Sequence, residues 1–193
     1  MLILRAVRTN LITQGFGPEK TKASAMPIYK SYGLLAHNGL DFLCKHGESV
    51  YFDCSGKGIV EKIEADNSGG IGVCVITNDA DGDFRHIYWH FLEGGIKVQA
   101  GQTIETGDLL GLGDNTGTST GDHLHRGMKK VVKDLYGNWL TADYTEDYKG
   151  AIDPTAYFKN IFVLDYIATL EEKISLLKKA IEIAKKLLGL KKN

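Results

Sequence analysis

A chain of 193 residues, 43% of them hydrophobic and 24% charged, suits one well-packed soluble domain plus an accessory segment and is short for two full domains. A formal net charge of −1 gives no ground for a nucleic-acid partner, and no run reaches the ~18–20 apolar residues of a membrane-spanning helix. With 23 glycines against 3 prolines, tight β-turns are favoured over disordered linkers.

The first ten residues, Met1-Leu-Ile-Leu-Arg-Ala-Val-Arg-Thr-Asn10, lack the apolar core of a secretory signal, so synthesis in the cytoplasm without a leader of its own is expected. Up to about residue 160, short apolar or alternating runs are cut by glycine turns such as Gly15-Phe16-Gly17, Gly56-Lys57-Gly58, Gly69-Gly70, Gly94-Gly95 and Gly111-Leu112-Gly113. Strands are expected at 49–54, 58–64, 72–77, 84–91 and 123–132. Regular short strands with turns between them predict a mainly β fold, an antiparallel sandwich or barrel-like sheet. Cys44, Cys54 and Cys74, spaced by 10 and 20 residues, match no CxxC-type zinc pattern and read as small, reduced, buried hydrophobes in strands.

From Ile161 the period changes. Val163, Ile167, Leu170, Ile174, Leu177, Ile181, Ala184 and Leu188 alternate in steps of four and three, a heptad seam, with Leu176, Ala180, Ile183, Leu187 and Leu190 widening the apolar arc. Glu171, Glu172, Lys178, Lys179, Glu182, Lys185 and Lys186 occupy the opposite face. The expected organisation is therefore a β domain over 1–160 and an amphipathic C-terminal α-helix over 161–193. Three roles fit the helix: homo-oligomerisation or a partner helix through 161–190, packing on its own domain, or docking of its lysines on an anionic envelope surface.

The chemistry sits in two short pieces. In His123-Leu124-His125, residues i and i+2 of a strand point to one face, which aims both imidazoles the same way and Leu124 into the core. His37 and Asp41 lie at i and i+4 in His37-Asn38-Gly39-Leu40-Asp41, a spacing that puts both on one side of an extended segment or turn. Either motif alone fits an incidental surface or core histidine. Together, with the small-residue loop Gly113-Asp-Asn-Thr-Gly-Thr-Ser-Thr-Gly121 leading into the second, they suit a zinc site with one imidazole left over.

At these residues the chain resembles the lysostaphin/LytM-type zinc metallopeptidases, which cut peptide bonds in bacterial peptidoglycan. The matching pieces, in family order, are Ile12-Thr-Gln-Gly-Phe-Gly17, His37-Asn-Gly-Leu-Asp-Phe42, Gly58-Ile-Val60, Tyr88-Trp-His-Phe91, Val98-Gln-Ala-Gly-Gln102, Gly107-Asp-Leu-Leu-Gly111, Asn115-Thr-Gly-Thr-Ser-Thr-Gly-Asp-His-Leu-His125 and Ile152-Asp-Pro154. The resemblance implies His37, Asp41 and His125 as ligands of one Zn2+ per chain, and His123 and His90 as catalytic histidines. Zinc would lower the pKa of a bound water towards ~7 and polarise the scissile carbonyl, while a free histidine handles protons near neutral pH. His86 is the rival to His90: in a regular strand 86, 88 and 90 share a face, and the two lie ~13 Å apart. His46 reads as a turn residue, and Asp114 and Asp122 as loop groups or supports of the ligands.

The sequence departs from the family in three places. Arg126-Gly127-Met128 follows the HxH where the family usually has an aromatic and a hydrophobic strand, which leaves that strand's packing open. Residues 129–150, with Tyr136, Trp139, Tyr144 and Tyr148, form an excursion that fits a substrate-side wall and an outer hairpin equally well. The export signal common in the family is missing, which leads to the expectation of a phage or prophage enzyme reaching the cell wall by phage-mediated release or within a virion. The implied partners are stem or cross-bridge peptides of peptidoglycan. The competing reading is a non-catalytic peptidoglycan-binding or activating module on the same fold, or a structural component of a virion; a degenerate module is expected to have lost ligands that this chain keeps.

Overall fold

Glycine punctuation and β-branched runs produce ten strands among the described residues of the computed structural model, namely 5–9, 11–158, 174, 175, 177–179 and 181. In chain order they are β1 (Ile12–Gln14), β2 (Leu40–Leu43), β3 (Ser49–Tyr51), β4 (Lys57–Asp66), β5 (Gly70–Asp79), β6 (Gly82–Trp89), β7 (Thr103–Glu105), β8 (Leu109–Leu112), β9 (His123–Lys133) and β10 (Trp139–Thr141). One short helix, α1 (Met26–Ser31), lies between β1 and β2. The fold is mainly β and antiparallel, as expected. The large sheet runs β1-β2-β9-β6-β5-β4-β7 with β10 added to β9, and β3 and β8 form a separate two-stranded ribbon.

The core lies on one face of the large sheet, where Val73, Val75, Phe84, Tyr88, Leu124 and Met128 are buried. Phe52, which follows β3, reaches the same layer: a Cβ added to Gly58 would meet both Val75 and Phe52. In β6, buried Phe84, His86 and Tyr88 alternate with more exposed neighbours, the period-two signature of a sheet with one covered face. In β9, His123 and His125 are partly exposed while Leu124 and Arg126 between and after them are buried. The two faces of β9 thus separate the histidines from the core.

Two expected strands end earlier than the sequence suggested. The run at 49–54 stops at Tyr51, and the run at 84–91 stops at Trp89 because His90 takes φ 71°, outside the strand region. Phe91 rejoins only through an isolated bridge to Gly113. The cysteines are buried and free, although only Cys74 lies in a strand. Burial pushes the Cys44 and Cys74 thiols up to about 12 and Cys54 well above its ordinary value, so none is a nucleophile near neutral pH.

The chain divides into two units, Met1–Phe158 and Lys159–Asn193. The C-terminal helix expected over 161–193 lies outside the described residues except at 174, 175, 177–179 and 181, which are helical and exposed.

Candidate metal centre

β2 and β9 are antiparallel neighbours with Asp41 directly opposite His125, and the loop before β2 carries His37. This pairing brings the two sequence motifs together, although 84 positions separate Asp41 from His125. His37 Nε2 lies 3.0 Å from Asp41 Oδ1 and 3.0 Å from His125 Nδ1, and His125 Nδ1 lies 3.1 Å from Asp41 Oδ1. The close approach needs Gly39: a Cβ there would stand 2.6 Å from His125 Cε1 and 2.9 Å from the Arg126 carbonyl oxygen.

The donor set fits a zinc ion. His37 Nδ1–H donates to the Gly15 carbonyl at 2.8 Å, which leaves Nε2 with its lone pair aimed into the triangle. Asp41 Oδ1 is anionic. Burial opposes ionisation of Asp41, but the His125 and His37 imidazoles beside it outweigh burial and hold the carboxyl well below the usual carboxylate range. Burial lowers the pKa of His125, with the Asp41 hydrogen bond acting the other way. One proton on His125 Nδ1 can bridge to Asp41, but nothing in the triangle neutralises the electron-rich faces of all three groups at once, as a divalent cation would. Three ligands ~2.0–2.1 Å from a tetrahedral zinc stand ~3.3–3.4 Å apart, close to the observed edges. Gln14 Nε2 donates to the other Asp41 oxygen at 3.3 Å and to the Tyr29 hydroxyl at 2.6 Å, so β1 orients the carboxylate from behind.

Two further imidazoles flank the triangle. His123 Nε2 is 3.6 Å from Asp41 Oδ1, and its Nδ1–H donates to the Gly121 carbonyl at 2.7 Å. His90 Nδ1–H donates to the Thr116 carbonyl at 2.7 Å, and its ring centroid is 4.4 Å from that of His123. Backbone carbonyls therefore fix both tautomers and leave each Nε2 unprotonated in the neutral ring. Burial, aided by the proximity of His123, lowers the His90 pKa to about 4.

His90 reaches this side against the alternation rule. A regular continuation of β6 would put it with His86 and Tyr88 on the core face; the left-handed φ of 71° turns it to the side of His123. His86, the rival, is fully buried, with Nε2 2.9 Å from the Thr77 hydroxyl and Nδ1 accepting from Arg126 Nη2 at 2.8 Å. His46 is exposed in its turn, with Nδ1 2.8 Å from Asp114 Oδ1 and its N–H donating to Asp122, so both acids serve that turn.

Sequence reasoning missed the layer beneath. Arg126, fully buried, donates through Nε to both Asp53 oxygens at 3.1 and 3.3 Å, through Nη2 to Asp53 Oδ1 at 3.0 Å, and through Nη1 to the Gly127 carbonyl at 2.6 Å. Tyr88 donates to Asp53 Oδ1 at 2.5 Å, and the guanidinium lies 4.4 Å from the Tyr88 ring centroid. The only sequence signal for this cluster was the unusual Arg126 itself. The 129–150 excursion pairs with β9 through β10, and its far end meets the loop before His37, where Leu35 N–H donates to the Asp147 carbonyl and Phe16 packs on Tyr148.

Comparison with known proteins matches residues 35–141 to Peptidase family M23. Lysostaphin of Staphylococcus simulans is 37% identical over 89 residues, covering 46% of this chain and 17% of that protein. The peptidoglycan DD-endopeptidase ShyA of Vibrio cholerae is 36% identical over 114 residues, covering 59% of this chain and 24% of that protein. The chain thus spans under a quarter of the length of these relatives. A crystal structure of a zinc containing peptidase from Vibrio cholerae shares the fold, with a TM-score of 0.54 at 23% identity over 79% of this chain and 39% of that one.

Proposed function

Because the chain belongs to peptidase family M23, a family of zinc metallopeptidases, we propose that it is an endopeptidase that hydrolyses peptide bonds of bacterial peptidoglycan with one zinc per chain. The observation that carries this reading is the triangle of His37 Nε2, Asp41 Oδ1 and His125 Nδ1 with two tautomer-locked imidazoles beside it. A zinc ion held by these three groups would supply Lewis acidity, polarising the scissile carbonyl and acidifying a water molecule.

The remaining roles fall to the chain. His123, with Nδ1–H tied to Gly121 and Nε2 facing the triangle, takes a proton from the attacking water and returns it to the leaving amine. His90, kept neutral by burial, offers a second Nε2 on the same side; once protonated, either ring donates to the oxygen on which charge develops. Asp41 anchors the site electrostatically, and Gln14 holds its second oxygen. No HExxH glutamate exists in this sequence, which leaves proton transfer to histidine.

Clearing of purified cell walls tests the proposal. Wild type with zinc should release new amino termini, and both chelator and His123→Ala should reduce release by at least a hundredfold. If protein holding one zinc cut no bond in walls of any cross-bridge type, the reading would give way to a binding module.

A further inference from the structure

The face of the sheet that carries the triangle continues along β9. His125, Gly127 and Lys129 alternate with Arg126 and Met128, both buried in the core, and so share the face of the metal centre. A Cβ added to Gly127 would stand 3.5 Å from His125 Nε2 and 3.3 Å from Ile87 Cβ, which fixes that side of the strand as the side of the imidazole. Between His125 and Lys129 the floor is Ile87 and bare backbone.

Lys129 stands opposite Arg85 of β6. Arg85 is already committed: it donates to both Glu61 oxygens at 2.6 and 2.5 Å and to the Trp139 carbonyl at 3.0 Å. Lys62 is paired with Glu64. Among the described residues, that accounting leaves Lys129 as the cation of the floor without an ion-pair partner. It is partly buried, and among the described residues its ammonium has no carboxylate within the 4.0 Å of an ion pair. Burial and the neighbouring Arg85 lower its pKa, with the Glu64 carboxylate acting the other way from beyond ion-pair distance.

We propose that Lys129, backed by Arg85, is a carboxylate-binding subsite for a peptide lying along the floor. Four strand positions at ~3.3 Å put it ~13 Å from His125, so the carboxylate it holds belongs three to four residues from the scissile bond. An arriving carboxylate relieves the Lys129–Arg85 repulsion and is partly shielded from water, which makes the contact stronger than an exposed ion pair. The seat deepens the endopeptidase reading and rests on it for the direction in which the peptide runs.

The test uses cross-linked muropeptides and the same muropeptides with their carboxylates converted to amides. Equilibrium binding is measured on zinc-loaded protein carrying His123→Ala, which blocks turnover, with Lys129 intact and with Lys129→Gln or Lys129→Arg. The acid form should bind about tenfold tighter than the amide form when Lys129 is intact. Lys129→Gln should abolish that preference and Lys129→Arg keep it, with zinc content unchanged in all three. Equal binding of the two forms with Lys129 intact, including no binding of either, overturns the proposal, as does a preference that persists in Lys129→Gln. Digestion of the same muropeptides by the unmutated protein separates the two ideas. Cutting without an acid preference removes only the subsite, and an acid preference without cutting removes only the catalytic reading.

Discussion

A buried guanidinium bound to a buried carboxylate directly behind a ligand strand makes strong demands on its partners. Removing Arg126 alone would strand Asp53 as an uncompensated charge at 1% exposure. Arg126→Met should therefore destabilise the protein by about 3–5 kcal/mol, whereas Arg126→Met with Asp53→Leu should recover most of that loss, since apolar replacements of buried pairs are commonly near neutral. Denaturant unfolding of the single and double variants reads the difference directly. At this scale the sequence was legible where chemistry is local. HxH and HxxxD announced themselves through spacing, and Leu124 was correctly assigned to the core. Arg126–Asp53 was not legible because its partners are 73 positions apart and belong to no motif. His90 could not be placed by alternation, because one residue at φ 71° reverses the face that alternation assigns.

Strands transmit these local facts into a site. β9 is the central element: its outer face presents His123 and His125, its inner face holds Leu124 and Arg126, and β2 fixes Asp41 against it by register. The long strands β4, β5, β6 and β9 were legible from alternation and glycine turns. The three-residue strands β1, β7 and β10, and helix α1, were not, since such short pieces carry too little period to stand out. Register also explains two glycines that sequence reading took as a turn, Gly69, and as the start of a strand, Gly72. A Cβ on Gly72, in register with Trp89, would lie 2.3 Å from the indole, and one on Gly69 would lie 2.5 Å from it. These glycines form a flat seat for the ring. Gly72→Ala should accordingly cost about 1–3 kcal/mol by overpacking and shift the emission of Trp89 in a Trp139→Phe background, while leaving zinc binding intact. Unchanged emission together with unchanged stability would show that the indole does not rest on that seat.

Across the whole molecule, the large sheet puts the core on one face and the metal centre on the other face of β9. The groups that matter to the proposed chemistry come from five separated places: Gln14 on β1, the loop before β2 with Asp41 on that strand, His90 just after β6, the Thr116 and Gly121 carbonyls of the loop before β9, and β9 itself. Antiparallel pairing brings them together, and among the described residues no helix contributes a group to the triangle. Peptidase family M23 membership rests on residues 35–141, which contain the whole triangle and both flanking imidazoles. The central claim is the division of labour among the histidines, with His37, His125 and Asp41 on the metal and His123 working beside it. Zinc stoichiometry measured alongside muropeptide cleavage for His123→Ala and His125→Ala tests that division most directly. The account predicts that His123→Ala retains one zinc per chain and loses cleavage, while His125→Ala loses the zinc as well. A His123→Ala protein that lost its zinc as readily as His125→Ala, or that kept cutting at the wild-type rate, would contradict it.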